Sequence, residues 1–405
     1  MPRYLSNIFN PLSPDVHRYF FPGVLEVENG KIISVSEYRH NIRYDEDLTE
    51  YLLVPAFVDT HTHLSQFHIR SKAGFTLLDW LSNFVFEEEA RFSSREYAGD
   101  IAREFFHEAL SCGVTSIALY VTVHNSAVEE VFNVASSLPV RGHIAKVWMD
   151  RNAPAGLLEP PDASYRSSHK LFRRYNNTDK RLFFSVALRF PITSTEEGMK
   201  LAARFQNETG TLLQLHIAES RDEVDRVKEL FPNLSYTELY QRMGLLSNRT
   251  VLAHAIHLAD DELGILKSSG AYISHCPAAN LFLHSGQFPL DRIKERGIPI
   301  SLGSDIGAGP YILPLALMRD MYYINPTTPS EMFYYATLGG AKALGFGDVV
   351  GNFTPGKEAD FVLLSPYVLS HNIDTTLSSL IFEGERSSVR SVYFRGRKIE
   401  FPLIS

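Results

Sequence analysis

Leu52-Leu53-Val54-Pro55-Ala56-Phe57-Val58-Asp59-Thr60-His61-Thr62-His63-Leu64 is an apolar run that ends in a pair of histidines. A short stretch of Leu, Val and Phe bounded by proline reads as a buried strand, and in parallel α/β folds the chemistry sits where strands end. His61 and His63 then lie at a strand's carboxyl end. Side chains at i and i+2 of a strand point the same way, so the two imidazoles converge on one point, as a metal ion requires. Two unrelated polar residues at a strand edge would give the same pattern, and the rest of the chain has to decide between them.

Downstream, short apolar runs alternate with helical patterns: Val114 to Thr122, His143 to Asp150, Leu182 to Pro191, Thr211 to Glu219, Thr250 to Leu258, Ala271 to Pro277 and Pro299 to Asp305. With the first run they number what a closed parallel barrel needs, and the expected fold is an α/β (β/α)8 TIM barrel. Ser220-Arg221-Asp222-Glu223 reads as a capping box, with Val224, Val227 and Leu230 on one helical face, so Glu219 is placed at the lip between strand and helix. The Pro-, Ala- and Ser-containing stretch Ala153 to Tyr165 is read as a loop.

Both ends of the chain are written in β style. Val24 to Val35 is two alternating runs around Asn29-Gly30, a hairpin pattern. Asp360 to Leu364 and Val392 to Ile399, the latter turning at Arg395-Gly396, repeat it. Neither end has enough apolar residues to fold alone. The termini are therefore expected to pair as one small composite β domain, residues 1–54 with 354–405, flanking a barrel of residues 55–353.

Three strand ends carry four donors of the kinds that bind metals. His61 and His63 end the first strand, His216 the fifth in Leu215-His216-Ile217-Ala218-Glu219, and Asp305 the eighth in Gly303-Ser304-Asp305. Three imidazoles and a carboxylate on one rim would hold one divalent ion with room for a water, whereas any one of them alone could be a polar residue capping a strand. Water activated in this way needs a proton carrier, and Glu219 is placed for that. His254, ending the sixth strand, could orient the nucleophile, or be a core histidine. Arg189 ends the fourth strand where two-metal barrels need a bridging ligand, often a modified lysine. It argues for one metal, and in a pocket its fork would bind a carbonyl or carboxylate. Gln66 offers an amide to a heterocycle's edge. Phe75, Leu77, Leu78, Trp80, Leu81, Phe84 and Phe86 could cover a flat ring or form an ordinary core helix.

The totals narrow the classes. A net charge of −8 over 405 residues, with no long Lys/Arg cluster, argues against nucleic acid. No apolar span is long enough to cross a bilayer. Two cysteines make no disulfide framework, and Met1 to Ser6 lacks the apolar core of a signal peptide, so a cytoplasmic protein with a small-molecule partner is expected.

His61-Thr62-His63, Leu78-Asp79-Trp80-Leu81, Arg189-Phe190, His216 to Val224, Ala253-His254, His275-Cys276-Pro277, Gly303-Ser304-Asp305, Ala336 to Ala341 and Gly351-Asn352-Phe353 resemble the guanine deaminases of the amidohydrolase superfamily. The likeness runs from about Leu52 to the C-terminus and thins at 154–180 and 310–326. It implies hydrolytic deamination of guanine to xanthine and ammonia by a single metal-bound hydroxide. The ion would be zinc, one per chain, with ferrous iron as the alternative, held by His61, His63, His216 and Asp305. Glu219, His254 and Asp305 would be catalytic, and Gln66, Arg189, Phe190 and Trp80 would bind substrate. Homodimers are common in such families. The sequence departs from the pattern at Ala278-Ala279-Asn280, which lacks a serine, at Ser65, where proline is usual, and in an N-terminal β region that looks short. These departures bear on the loops that choose the substrate. A deaminase of a pterin such as isoxanthopterin, sharing guanine's amino-oxo pyrimidine edge, is the alternative on the same scaffold. A catalytically silent binding module is a remoter one. The unrelated zinc deaminase fold is excluded, because no His-x-Glu with Pro-Cys-x-x-Cys is present.

Overall fold

The computed structural model describes residues 2–74 and 76–400. It opens with β1 (Arg3–Ser13), β2 (Val16–Glu28) and β3 (Lys31–Glu37), paired antiparallel in that order, and continues with β4 (Glu46–Pro55), parallel to β1. The β2–β3 turn is Asn29-Gly30, with φ of 50° and 77°, the left-handed values the dipeptide was read to supply. The N-terminal β region is thus longer than expected. β1 escaped the reading because its face is interrupted by Ser6, Asn7 and Asn10, all buried. These polar residues are satisfied internally: Asn7 Nδ2 donates to the Thr49 carbonyl at 2.7 Å, and Asn10 Oδ1 accepts from the Phe353 amide at 2.8 Å.

The run Leu52 to Leu64 is two strands rather than one. β4 ends at Pro55, and after Ala56 the chain starts β5 (Phe57–His63), the first barrel strand. Both halves are buried, so hydropathy is continuous across a change of sheet. The barrel continues with β6 (Val114–Tyr120), β7 (Arg141–Trp148), β8 (Leu182–Leu188), β9 (Leu213–Ile217), β10 (Thr250–His254), β11 (Tyr272–His275) and β12 (Ile300–Leu302), neighbours in sequence order. The seam between β12 and β5 is closed past the strand ends, where the Asp305 amide donates to His61 O and the His63 amide to Ile306 O, each at 2.8 Å. Seven of the eight barrel strands fall within the runs read for them, and β7 starts two residues before its run, at Arg141 rather than His143, so the eight-stranded α/β barrel stands.

From the C-terminal part come β13 (Phe361–Leu364), β14 (Val389–Phe394) and β15 (Arg397–Lys398). They complete a second sheet in the order β15-β14-β13-β4-β1-β2-β3, built from both ends of the chain. Tyr4, Ile8, Leu25, Leu53, Phe361 and Tyr393 form its core. By contacts the chain divides into two compact units: Met1–Asp59 with His107–Ser116 and Ile312–Ser405, and Thr60–Phe106 with Ile117–Tyr311. The domain boundaries expected from the sequence, 1–54 with 354–405 against 55–353, remain a proposal, and Pro55, which pairs with Phe361, belongs to β4.

Ala153 to Tyr165 is not an open loop. Ala155–Leu157 is one 3₁₀ turn with Leu157 fully buried, and Pro161–Tyr175 is a helix starting on proline. Proline at the first helical position costs no hydrogen bond, which is why Pro160-Pro161 marks a helix start here rather than a breaker.

Candidate active site

Four donors from three distant parts of the sequence meet at the carboxyl ends of the barrel strands. His63 Nε2 lies 3.2 Å from His61 Nε2 and 3.1 Å from His216 Nε2. Asp305 Oδ1 lies 3.3 Å from both His61 Nε2 and His63 Nε2. Four ligands around an ion at bond lengths of roughly 2.0–2.1 Å stand about 3.4 Å apart along the edges of a tetrahedron, so this spacing fits one ion. Burial holds all three imidazoles well below their ordinary pKa, in the neutral form a metal takes. His254 belongs to the wider cluster, since donor atoms of His61, His216, His254 and Asp305 lie within 4.8 Å of one another. Its Nε2 faces carboxylates, however, at 3.4 Å from Glu219 Oε2 and 3.7 Å from Asp305 Oδ2.

Partners behind these residues hold them in place. His216 Nδ1 donates to the Arg189 carbonyl at 2.6 Å, leaving Nε2 for an ion, and the Tyr240 hydroxyl holds the His216 carbonyl at 2.7 Å. His254 Nδ1 donates to Asn280 Oδ1 at 2.9 Å, so its Nε2 is free to face the two carboxylates. Backbone strain helps aim the set: Ala218, His254, Ala255 and Asp305 all have positive φ, between 48° and 75°.

Glu219 is placed by the capping box. The Ser220 hydroxyl accepts from the Glu223 amide at 3.2 Å, while Glu223 Oε2 takes the amides of Glu219 at 2.7 Å and Ser220 at 3.2 Å. Ser285 donates to Glu219 Oε1 at 3.2 Å. Burial first, then the charges of Asp305 and Glu223, push the Glu219 carboxyl well above its ordinary range.

A cleft of about 370 Å³ of empty space opens on this cluster, lined among others by Gln66, Leu77, Trp80, Leu81, Arg189 and Phe190. Trp80 and Leu81 are consecutive yet both line it. They stand where the helix Leu77–Trp80 passes into a π-helical turn, Leu81–Val85, the kind of bulge that often marks a functional site. Of the aromatic segment read as a possible ring cover, Leu77, Trp80 and Leu81 reach the cleft. Phe86 packs against the core around Tyr120 and Val147, and Phe75 lies outside the described residues. Trp80 Nε1 donates to the Lys72 carbonyl at 3.0 Å, fixing the indole plane. The Gln66 amide oxygen accepts from the Gly307 amide at 3.4 Å.

The amidohydrolase family model matches residues 52–399. The chain belongs to the amidohydrolase family. Among amidohydrolases it is 34% identical to the guanine deaminase of Escherichia coli (strain K12), over 94% of this chain and 92% of that one. It is 32% identical to the guanine deaminase of Dictyostelium discoideum, over 88% and 84%. Its fold superposes with a TM-score of 0.92 on the guanine deaminase of C. acetobutylicum with bound guanine in the active site, covering 98% of this chain and 100% of that chain at 26% identity.

Two residues that shape this amidohydrolase site went unread in the sequence. Asn280 had been noted only as part of a departure from the family pattern, and its tie to His254 spans 26 positions. Glu89, in the acidic run Glu87-Glu88-Glu89, is fully buried and hydrogen-bonded to Arg189 Nη2. Three consecutive glutamates ordinarily read as a solvated helix face, and what separates Glu89 from its neighbours is its bond to Arg189.

Proposed function

We propose that the protein hydrolyses guanine to xanthine and ammonia with one divalent ion at His61, His63, His216 and Asp305. The observation that carries the reading is the coincidence in one cleft of a four-donor set, a buried carboxyl with a raised pKa and an arginine in the lining. A divalent ion bound there lowers the pKa of water to about 7 and so supplies the nucleophile. Zinc fits the three-imidazole, one-carboxylate set best.

Glu219 takes the proton of the attacking water and passes it to the ring nitrogen next to the amino-bearing carbon. A raised carboxyl pKa suits a group that must both accept and release a proton near neutrality. Asp305 then carries the proton of the hydroxyl now on that carbon to the amino group, so that the C–N bond breaks and ammonia leaves as the carbonyl forms, and His254 stabilises charge at the attacked carbon. Arg189 and Gln66 take the oxo and ring-nitrogen edge, and Trp80 with Phe190 bounds the ring faces. The cleft's Leu77, Trp80, Leu81 and Phe190, with a few polar groups among them, suit a flat ring system. The relatives that carry the name guanine deaminase, and the one with bound guanine, support the same substrate. A place in purine catabolism follows from that reaction.

We further propose a homodimer in the cytoplasm. Both cysteines are buried and neither is joined in a disulfide, as a reducing compartment permits, and no helix among the described residues is long and apolar enough to cross a membrane. Ammonia release from guanine, isoxanthopterin, pterin, adenine and cytosine, assayed side by side, tests the substrate. Guanine is expected to be turned over fastest; a pterin turned over far faster would overturn the choice of ring. Adenine is expected to be poor by roughly 10⁴-fold, because its amino group would leave the Arg189 donors unpaired.

A further inference from the structure

We infer that Glu89 is a positioning residue for substrate choice: it holds the Arg189 guanidinium on the oxo edge of the substrate and away from the carboxylates of the reaction. The inference rests on the reading of Arg189 as the group that meets that edge.

Arg189 and Glu89 are 3% and 0% exposed, so neither charge can rely on water. They are bonded through Arg189 Nη2 and Glu89 Oε2, while Arg189 Nε has no partner within the fold. The contact is therefore single-pointed. It neutralises the guanidinium and fixes its direction, yet leaves donors of the fork unspent at the wall of the cleft. Glu219, Glu223 and Asp305 line the same cleft. A buried guanidinium deprived of its carboxylate would turn to one of these, and both the proton carrier and the oxo-edge donor would be lost together.

Glu89 is the residue of its run committed to this task. Glu88, also buried, is engaged by the Tyr97 hydroxyl and by Arg91 at 2.9 Å. Burial pushes the Glu89 carboxyl up, and the strongest opposing influence is Arg189. Glu89 sits on the short helix Phe86–Ala90, which continues the π-turn after Trp80. One segment thus supplies both the wall against the ring face and the partner of the arginine that meets the ring edge.

The test uses the metal-loaded enzyme carrying Glu89→Gln or Glu89→Asp, with Arg189→Ala alongside. The probes are guanine as substrate and 2-aminopurine, which has the same rings and no oxo group, as inhibitor. Glu89→Gln is expected to raise the KM for guanine about 10–100-fold, with a smaller fall in kcat and an unchanged inhibition constant for 2-aminopurine. Glu89→Asp should recover part of the KM, and it carries the comparison if the glutamine variant does not fold. A KM for guanine unchanged in Glu89→Gln but raised in Arg189→Ala overturns the role of Glu89 and leaves the arginine reading intact. A KM unchanged in both overturns the arginine reading itself. Equal weakening of guanine and 2-aminopurine assigns Glu89 to the fold alone and likewise overturns the proposal.

Discussion

Glu219 carries a chemical demand that its surroundings meet from three sides. Burial raises its pKa, the Glu223 carboxylate holds its backbone, and Ser285 fixes one oxygen. Glu219→Gln keeps the shape and the metal ligands but removes the proton carrier. Turnover should fall by roughly 10²–10⁴-fold with metal content unchanged, as steady-state assay and metal analysis of one preparation will show. Near-normal turnover would move the shuttle to another group. Asn280→Ala acts one step behind the chemistry, freeing His254 Nδ1 and with it the ring's orientation. Loss of such an outer partner typically costs about 10–100-fold, and the expected signature is a lower kcat with KM for guanine little changed.

Between residue and molecule stand the strand ends that bring the donors together. At Gly303 a Cβ would sit 2.5 Å from Ser274 Oγ and 2.9 Å from His61 Cβ. Glycine here is a matter of close approach: β12 must lie against β5 for Asp305 to reach the histidines. Gly303→Ala should push His61 off its aim, lowering stability by about 1–3 kcal/mol and weakening metal retention in equilibrium dialysis. The capping box offers a contrasting case. Ser220→Ala removes one cap bond while Glu223 still holds the amides of Glu219 and Ser220. Denaturant unfolding should show a loss of about 1 kcal/mol with metal content intact. If metal is lost as well, the box contributes to the site more than through the helix start alone.

For the whole molecule, a divalent ion held by His61, His63, His216 and Asp305 would compete with protons for the same buried imidazoles. Purification without chelator should yield about one divalent ion per chain, and chelation should abolish activity and lower the melting temperature, since a ligand that binds only the native state stabilises it. Two tightly held ions, or activity that survives chelation, would count against the donor set. The metal-free protein has its own pH dependence. His275 is fully buried against Phe288, and its pKa is pushed down from 6.5 to about 3, as burial also lowers those of His61, His63 and His216. The native state then binds fewer protons than the unfolded chain below pH 6.5. Stability is complete above that value and is lost as pH falls toward 3, at up to about 1.4 kcal/mol per pH unit for His275 alone. Melting temperatures of the metal-free protein across this window should fall with pH, and His275→Asn should flatten the slope.

Local pattern was enough for the strand count, the hairpins at Asn29-Gly30 and Arg395-Gly396, the capping box at Ser220, and the donor residues at the strand ends. Each of these depends on residues adjacent or a few positions apart, whose hydropathy period and turn chemistry are set by the backbone itself. The division of Leu52 to Leu64 between two sheets could not be read in this way, because a buried strand is apolar whichever sheet it joins. Nor could β1, whose buried Ser and Asn look exposed until their partners, 42 positions away for Asn7 and 343 for Asn10, come into contact. The same holds for Glu89 and Asn280. A glutamate in an acidic run and an asparagine after Ala-Ala carry no local mark of function. The first became the counter-charge of an arginine 100 residues on, and the second the orienting partner of a histidine, only when the barrel closed and removed the water that would otherwise have satisfied them.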